Sequence, residues 1–158
     1  YLYNLCFLDR ALAPADWERM SRQQPPRAVE EFVEQSRRFE SGDLPIVEAP
    51  DLASELTTGE VVHHISYPVF IEDGYLPGAR ADSGRLYVTN HRLLFCTAGS
   101  CSSFPYADME KLEQEYPGFY VEFSGEHVLH RFFPPALDPV YAAAVGAFRS
   151  FGKTKTVR

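Results

Sequence analysis

Histidine has the most versatile chemistry among the residues of this chain, because its imidazole can bind a metal ion or transfer a proton near neutral pH. The sequence holds five histidines, and two pairs are closely spaced: His63 with His64, and His127 with His130. Both pairs fall in segments of strand-like composition, where residues one or three apart point to opposite faces of a sheet. No cysteine or carboxylate completes either pair with a spacing typical of metal sites. We therefore predict structural histidines, no metal site and no cofactor.

The three cysteines, Cys6, Cys96 and Cys101, are an odd count without metal-ligand spacing. Cys96 falls in a predicted strand and Cys101 in a turn, so the two could lie near each other, but free thiols in a reducing compartment are the expected state. Neither has the local signature of a cysteine phosphatase or protease. The sequence also lacks a G-x-S-x-G elbow, a phosphate-cradling glycine loop and an H-E-x-x-H motif. We predict no catalytic site.

Anion binding by converging basic side chains is a second kind of chemistry to consider. The candidates lie in a glycine-containing loop and the segment that follows it: Arg80, Arg85, His91 and Arg92. The loop, residues 72–83, supplies only Arg80 and also carries three carboxylates, which oppose the binding of a phosphorylated lipid head group. A separate acidic run, residues 108–115, is typical of a solvated face, although it could also dock a basic partner.

The net charge of −7 is unevenly distributed along the chain. Residues 1–60 hold 6 basic and 12 acidic residues, whereas residues 61–158 hold 9 basic and 10 acidic ones. An acidic chain disfavours a general nucleic-acid binder, which needs a basic face to neutralise phosphates. It also disfavours adsorption of the whole chain to an anionic membrane. The nearly neutral second part can still carry a small local anion site.

The length of 158 residues fits one domain with an extension. The apolar runs fall short of the ~20 residues that a membrane-spanning helix needs. Residues 1–8 are apolar but lack the basic flank and the cleavage site of a secretory signal. We expect a cytoplasmic protein without a transmembrane segment, at most peripheral on internal membranes.

Residues 1–59 have the pattern of a helical extension that ends in a linker. Pro25-Pro26 separates two helical stretches, and Gly42 suits a helix C-terminus. Residues 44–55 contain two prolines and no clear period, which indicates a linker or an extended arm. Apolar side chains at helical spacing must be buried, either on the following domain or on a partner protein. These side chains are Trp17, Val29, Phe32, Val33 and Phe39.

From residue 60 the apolar period changes to two, which is the signature of β-strands. Strands are predicted at residues 61–71, 85–89, 92–97, 119–123 and 127–133, with one kinked or two short strands between 103 and 114. Pro68 indicates a bulge or an edge position. Asn90-His91 predicts a tight turn, because asparagine tolerates the positive φ that hairpin turns use. About seven short strands at this spacing are typical of an antiparallel sandwich or barrel.

The last part of the sequence predicts an amphipathic helix and a basic tail, residues 153–158. Asp138 suits the N-cap of this helix and Pro139 its first position. The predicted apolar stripe consists of Leu137, Val140, Tyr141, Ala144, Val145 and Phe148. Because such a stripe must be covered, the helix should close the open end of the barrel. We therefore predict a mainly β fold with α over residues 60–152: a pleckstrin-homology-like (PH-like) seven-stranded antiparallel barrel or sandwich, capped by a C-terminal helix.

The sequence of residues 84–95, GRLYVTNHRLLF, resembles the G-x-L-Y-[VL]-T-x-x-R-L-x-F hairpin of the GRAM family. Similar hairpins occur in the PH-GRAM domains of myotubularin phosphatases, in the GLUE domain of the endosomal-sorting machinery and in PH-like domains of the BBSome. The resemblance covers about residues 60–152, and residues 1–59 match none of these families. In the hairpin, Leu86, Val88, Leu93 and Phe95 are the expected core residues, so the motif identifies a scaffold and leaves the activity open.

The resemblance implies binding to phosphoinositides or to proteins such as small GTPases, ubiquitin or sister subunits. We predict a non-catalytic interaction module, an adaptor or complex subunit in membrane trafficking, which binds protein partners and no nucleic acid. One alternative is a phosphoinositide-binding, membrane-targeting module that uses Arg80, Arg85, His91 and Arg92. Another is the regulatory domain of a lipid phosphatase whose catalytic domain lies outside this chain.

Overall fold

The computed structural model describes residues 27–72 and 83–152, which contain two α-helices and seven β-strands. Helix α1, Arg27–Glu40, precedes the strands, and helix α2, Val140–Phe151, follows them. The strands are β1 (Val62–Glu72), β2 (Gly84–Thr89), β3 (Arg92–Cys96), β4 (Cys101–Pro105), β5 (Met109–Glu115), β6 (Gly118–Phe123) and β7 (Leu129–Phe133). Cys6, Trp17 and Arg80 lie outside the described residues. In the described ranges, neither helix is long and apolar enough to cross a membrane.

The strands form one antiparallel sheet in the order β4-β3-β2-β1-β7-β6-β5. β1 belongs to both halves of the sheet, because its residues up to Val69 pair with β2 and Phe70–Glu72 pair with β7. The register shifts between Ser66 and Val69, on either side of Pro68, so the predicted bulge is confirmed. Because a bulge bends its strand, β1 can change direction as it passes from one half to the other. Helix α2 packs on this sheet, which confirms the predicted mainly β, helix-capped fold.

The main core lies between the sheet and α2. The predicted hairpin residues Leu86, Val88, Leu93 and Phe95 are all buried in it, as expected from their alternation along β2 and β3. Three aromatic rings fill the space towards the other half of the sheet: Phe104, Phe119 and Phe132, with neighbouring ring centroids 5.1 Å apart. Large rings in mutual contact bury much apolar surface, which stabilises the fold.

Residues 44–60, called the arm from here on, cover the other face of strands β2 and β3. Leu52 packs there against Val62, Tyr87 and Leu94. The Val47 N–H donates to the carbonyl of Val62 at 2.7 Å, which fixes the arm beside β1. Consequently Tyr87 and Leu94 are buried although they alternate with core residues along their strands. The predicted extended arm is therefore part of the packed structure, and the hairpin is buried on both faces.

Helix α1 docks on α2 through its C-terminal end. At Gly146 the two helices approach so closely that a Cβ atom would lie 1.9 Å from the carbonyl oxygen of Phe39. Phe39 is buried in the core, whereas Val29, Phe32 and Val33 are only half-buried. The end of the helical extension therefore packs on its own chain, while the apolar side chains of the first two turns of α1 are incompletely covered.

The predicted one-sided apolar stripe of α2 is wrong in two respects. The helix begins at Val140, so Leu137 lies outside it, with a φ of 61° and 38% of its surface exposed. Residues 142–147 are all buried, because α2 is covered by the sheet on one side and by α1 on another. These six positions are alanine, valine or glycine, and small residues permit close packing on more than one side.

The ends of the helices largely follow the predicted capping chemistry. Gly42 has a φ of 93° and its N–H donates to the carbonyl of Phe39 at 3.0 Å, which confirms the predicted C-terminal cap of α1. The carboxylate of Asp138 accepts a hydrogen bond from the N–H of Val140 at 3.0 Å. Asp138 therefore satisfies a free N–H at the start of α2 as expected, although the helix begins one residue later than predicted.

Because the docking of α1 depends on the absence of a side chain at position 146, we predict that Gly146→Ala destabilises the protein. The added methyl group would collide with backbone, which has little freedom to move, so a loss of about 1–3 kcal/mol in the free energy of unfolding is expected. Urea unfolding of the full chain measures this loss. Gly99→Ala is the matched control, since a Cβ at Gly99 has nothing within 4 Å. Equal midpoints for the two variants would show that the helices do not pack this closely.

Candidate functional site

Two polar side chains of the sequence motif, those of Thr89 and Asn90, hold the turn between β2 and β3 and serve the fold. The hydroxyl oxygen of Thr89 accepts hydrogen bonds from the N–H groups of His91 and Arg92, at 3.1 and 3.0 Å. The Asn90 side chain accepts from the N–H of Val61 at 2.9 Å and donates to the carbonyl of Gly59 at 3.1 Å. The predicted two-residue turn is therefore confirmed, and it is joined to the arm.

The predicted positive φ at Asn90 is wrong. In the described ranges Leu137 is the only residue other than glycine with a positive φ. The hydrogen bonds of Thr89 hold the turn instead, because a threonine hydroxyl can satisfy N–H groups two and three residues further along the chain. The asparagine side chain is consequently free to bond to the arm.

Glu60 and Arg92 form a buried ion pair beneath this turn. The Nε and Nη2 atoms of Arg92 each donate to one carboxylate oxygen of Glu60, both at 3.0 Å. Arg92 also donates to the carbonyl of Glu55 at 2.7 Å and to the hydroxyl of Ser103 at 3.2 Å. The Glu60 side chain is completely buried, and that of Arg92 is 19% exposed. Two-point geometry of this kind is the strongest that arginine and carboxylate can form.

The protonation state of Glu60 follows from these contacts. Burial acts to raise the pKa of Glu60. Hydrogen bonds from Arg92, Thr89 and Thr57, together with the positive charge of Arg92, lower it by more than burial raises it. The pKa therefore lies below the ordinary value of 4.5. The pKa of the neighbouring Tyr106 is raised, first by burial and then by the Glu60 charge. The Tyr106 hydroxyl donates to the carbonyl of Thr89 at 2.7 Å. The turn, the arm and the core are thus connected by one network of buried polar groups.

The three predicted basic residues that the structure describes do not converge on one place. Arg85 lies opposite Cys96 at one end of the hairpin, whereas His91 and Arg92 lie at the turn. The two places are separated by about four residues, or ~13 Å, along β2. A His91 ring nitrogen lies 3.4 Å from the hydroxyl of Thr57.

Arg85 borders an open groove of about 550 Å³ between the arm and the β3–β4 hairpin. Its side chain is 52% exposed, donates to Asp51 at 2.7 Å and lies 5.5 Å from the centre of the Tyr67 ring. A hydrogen bond with Tyr87 is the largest cause that raises the pKa of Arg85, followed by the charges of Tyr87 and Asp51. Among the predicted anion-binding residues that the structure describes, Arg85 is thus the one that borders this groove.

Ser66, His64 and Asp138 are the residue types of a nucleophilic triad, and the structure brings them together. Asp138 lies in the middle: His64 Nε2 and the Ser66 hydroxyl each lie 2.8 Å from one of its two oxygens. In a nucleophilic triad the histidine lies between the hydroxyl and the carboxylate, so these three residues do not have the order of a triad. Since Asp138 also binds the first turn of α2, this arrangement attaches α2 to β1. Ser66 is fully buried, which is consistent with a structural role.

His63 and His64 lie in β1 and have different partners, as predicted, whereas His127 precedes β7, so the predicted strand placement of His127 is wrong. His63 bonds to the carbonyl of Pro45 at 2.7 Å and stacks on Phe151, while His64 contacts Asp138 and Phe39. His130 packs against Phe104 inside the sheet, whereas the side chain of His127 is fully exposed. In residues 27–72 and 83–152 no group of three histidine, cysteine or acidic residues could hold a metal ion.

The expectation of free thiols at Cys96 and Cys101 is wrong, because the structure joins them by a disulfide. They are directly opposite partners in the last pair of the β3–β4 ladder, with Cα atoms 4.1 Å apart. Sequence spacing indicated a turn between them but not this register. The disulfide also lines the groove beside Arg85.

The sequence analysis did not predict that Glu60 and Asp138 would organise the polar contacts. Their contacts join residues 29 to 74 positions apart. One signal was available for Glu60: a buried arginine in a hairpin requires a carboxylate, and Glu60 directly precedes the first predicted strand. For Asp138, its predicted role as an N-cap did not indicate a second bond to β1.

The fold has a counterpart among known structures. The chain matches a structure titled "Vps36 N-terminal PH domain" with a TM-score of 0.50 and 14% identity, over 60% of this chain and 83% of that one. The fold is PH-like. A second match, to the C-terminal domain of an unknown protein from Leishmania infantum, has a TM-score of 0.47 and 18% identity, over 74% of this chain and 98% of that one. No family model and no curated protein match the sequence.

We predict that Glu60→Gln makes the PH-like fold less stable at neutral pH but not at low pH. At pH 7 the loss should be about 2–3 kcal/mol, because Arg92 loses its carboxylate but keeps some access to water. Since the pKa of Glu60 is lowered in the folded state, its contribution is complete above pH 4.5 and disappears as the pH falls through the folded pKa.

Urea unfolding at pH 7 and at successively lower pH values below 4.5 measures the difference between Glu60→Gln and the unsubstituted chain. Glu110→Gln, at an exposed position of β5, is the control and should change the stability by less than about 0.5 kcal/mol. A difference for Glu60→Gln that stays constant over this pH range would contradict the assigned ion pair.

Proposed function

We propose that this chain is a non-catalytic, PH-like interaction module of the GRAM type, which acts as an adaptor or subunit of a larger assembly at internal membranes. The PH-like fold supports a binding role, because domains with this architecture are typically non-catalytic modules. The likeness to the Vps36 domain is the reason for placing the module in membrane trafficking. We also propose a cytoplasmic location. The Cys96–Cys101 disulfide is an argument against this location, since cytosolic thiols are kept reduced.

The observation that carries the proposal is the incomplete burial of α1. Its last apolar residue, Phe39, is fixed in the core, whereas Val29, Phe32 and Val33 continue the stripe about two to three turns earlier and are half-buried. The stripe contrasts with charged residues on the rest of the helix, which form exposed ion pairs such as Arg27–Glu31. A stripe of this kind is the usual docking element of an amphipathic helix in a groove of another protein.

We expect the double variant Val29→Ser, Phe32→Ser to lose a protein partner that the full chain captures. The substitutions remove apolar surface from the half-buried stripe and leave Phe39 in the core, so the fold should persist. The measurement is affinity capture from cell extract, with bound proteins identified by mass spectrometry and folding checked by circular dichroism. Glu30→Ala with Gln35→Ala, on the exposed side of α1, is the matched control. Equal capture by both double variants would contradict a binding role for this stripe.

Phosphoinositide binding is the second candidate, and Arg85 is the observation that favours it. This exposed arginine stands at the rim of the groove, beside the end of β1 and the start of β2. The loop between these strands contains Arg80, which lies outside the described residues. Against this candidate, Arg92 is engaged by Glu60 and Arg85 is paired with Asp51, so neither charge is available without breaking an ion pair.

The interaction-module proposal predicts no enrichment of the chain on phosphoinositide vesicles over phosphatidylcholine vesicles. Co-sedimentation at low salt, where electrostatic attraction is strongest, measures this. Arg85→Gln separates the candidates, with Arg149→Gln on the exposed side of α2 as control. If the unsubstituted chain and Arg149→Gln co-sediment and Arg85→Gln does not, lipid binding replaces the first candidate.

A further inference from the structure

The two outermost strands of the sheet, β4 and β5, leave edges that differ in charge. β5 (MEKLEQE) carries four charged residues among seven, which is a common way to block the addition of another strand. β4 (CSSFP) carries none, and only its last residue, Pro105, hinders pairing. Of these two edges, β4 is therefore the one that can accept an extended segment.

A cleft of about 540 Å³ lies beside this edge. Ser103 and Pro105 of β4 form one side, and the β6–β7 connection with Ser124 and Glu126 forms the other. The Ser124 N–H donates to the carbonyl of Asp108 at 3.0 Å, which joins the β6–β7 connection to the short segment that follows β4. The ring of Phe123, stacked on Phe104 at 6.0 Å, supplies an apolar wall. The cleft is thus a formed recess with both apolar and polar surfaces.

The charges of this cleft select a cation. Its lining contains the carboxylates of Asp108 and Glu126 and no basic residue. The Oε2 atom of Glu126 is buried, and it has no hydrogen-bond partner among the described residues. A buried carboxylate oxygen is costly unless it accepts a hydrogen bond, so a donor from outside the chain would be stabilised there. The methylenes of a lysine or arginine could pack on Phe123 while the charged end reaches Glu126.

We propose that an extended, basic segment of a partner protein adds to β4 as a further strand and inserts one lysine or arginine side chain into the cleft beside Glu126. Backbone hydrogen bonds to β4 supply affinity, and the acidic cleft supplies selectivity. This inference rests on the proposed interaction-module function and names one surface of that module, separate from the α1 stripe, together with the chemistry of its partner.

A designed peptide tests this surface on the full chain. The probe is a fluorescein-labelled nine-residue peptide of alternating threonine and valine with one central lysine, and its match has glutamate at the centre. Fluorescence anisotropy should show the lysine peptide binding about tenfold more tightly, as expected for one charge-assisted hydrogen bond. Glu126→Gln should weaken the lysine peptide about tenfold but should not weaken the glutamate peptide, because it removes a like charge from the cleft. Glu110→Gln, on β5, is the control and should behave as the unsubstituted chain.

Hydrogen exchange locates the bound peptide, and we expect slower exchange of the amides in residues 101–104. Protection of β5 instead, unchanged affinity in Glu126→Gln, or no binding at about 1 mM lysine peptide would overturn the inference. These results are independent of the α1 experiment. A chain that captures its partner through α1 but ignores the peptide disproves only the β4 site, whereas peptide binding without capture disproves only the α1 stripe.

Discussion

The buried charge of Glu60 is the constraint around which the polar half of this structure is organised. A carboxylate without access to water is tolerated only when donors surround it, and its donors come from two parts of the chain. Thr57 belongs to the arm, while Thr89 and Arg92 belong to the β2–β3 hairpin. Satisfying one charge therefore fixes the arm on the hairpin, closes the turn and positions Ser103 of β4 through Arg92. The same charge explains why Arg92, a basic residue of the hairpin motif, points towards the protein and not towards solvent.

The second organising element is the narrow helix α2, which two layers share. Its alanines and Gly146 give it so small a radius that α1 reaches backbone contact on one side while the sheet packs on the other. The polar link Ser66–Asp138–His64 then fixes the start of α2 to β1. Packing sets how closely the helix approaches, and hydrogen bonding sets its position along the sheet. The two together explain how the end of α1 packs on the PH-like fold.

The parts of the fold that depend on local pattern could be predicted, and the parts that depend on distant contacts could not. The hairpin core, the Pro68 bulge and the Gly42 cap each follow from a few neighbouring residues, and the structure has all three. The second face of the hairpin was missed, because Tyr87 and Leu94 are buried by an arm some 40 residues away, which alternation cannot reveal. The same holds for the candidate site: spacing grouped Arg85 with Arg92, but the strand geometry separates them to the two ends of one hairpin.

The contact between Phe39 and Gly146 joins positions more than a hundred residues apart in the sequence. During synthesis on the ribosome, α1 emerges long before the helix that covers Phe39 exists. Phe39 is therefore uncovered until α2 leaves the exit tunnel, and folding cannot be completed from the N-terminus onwards. The first sixty residues carry twice as many acidic as basic side chains. While Phe39 is uncovered, this net negative charge opposes association of the nascent segment with other chains.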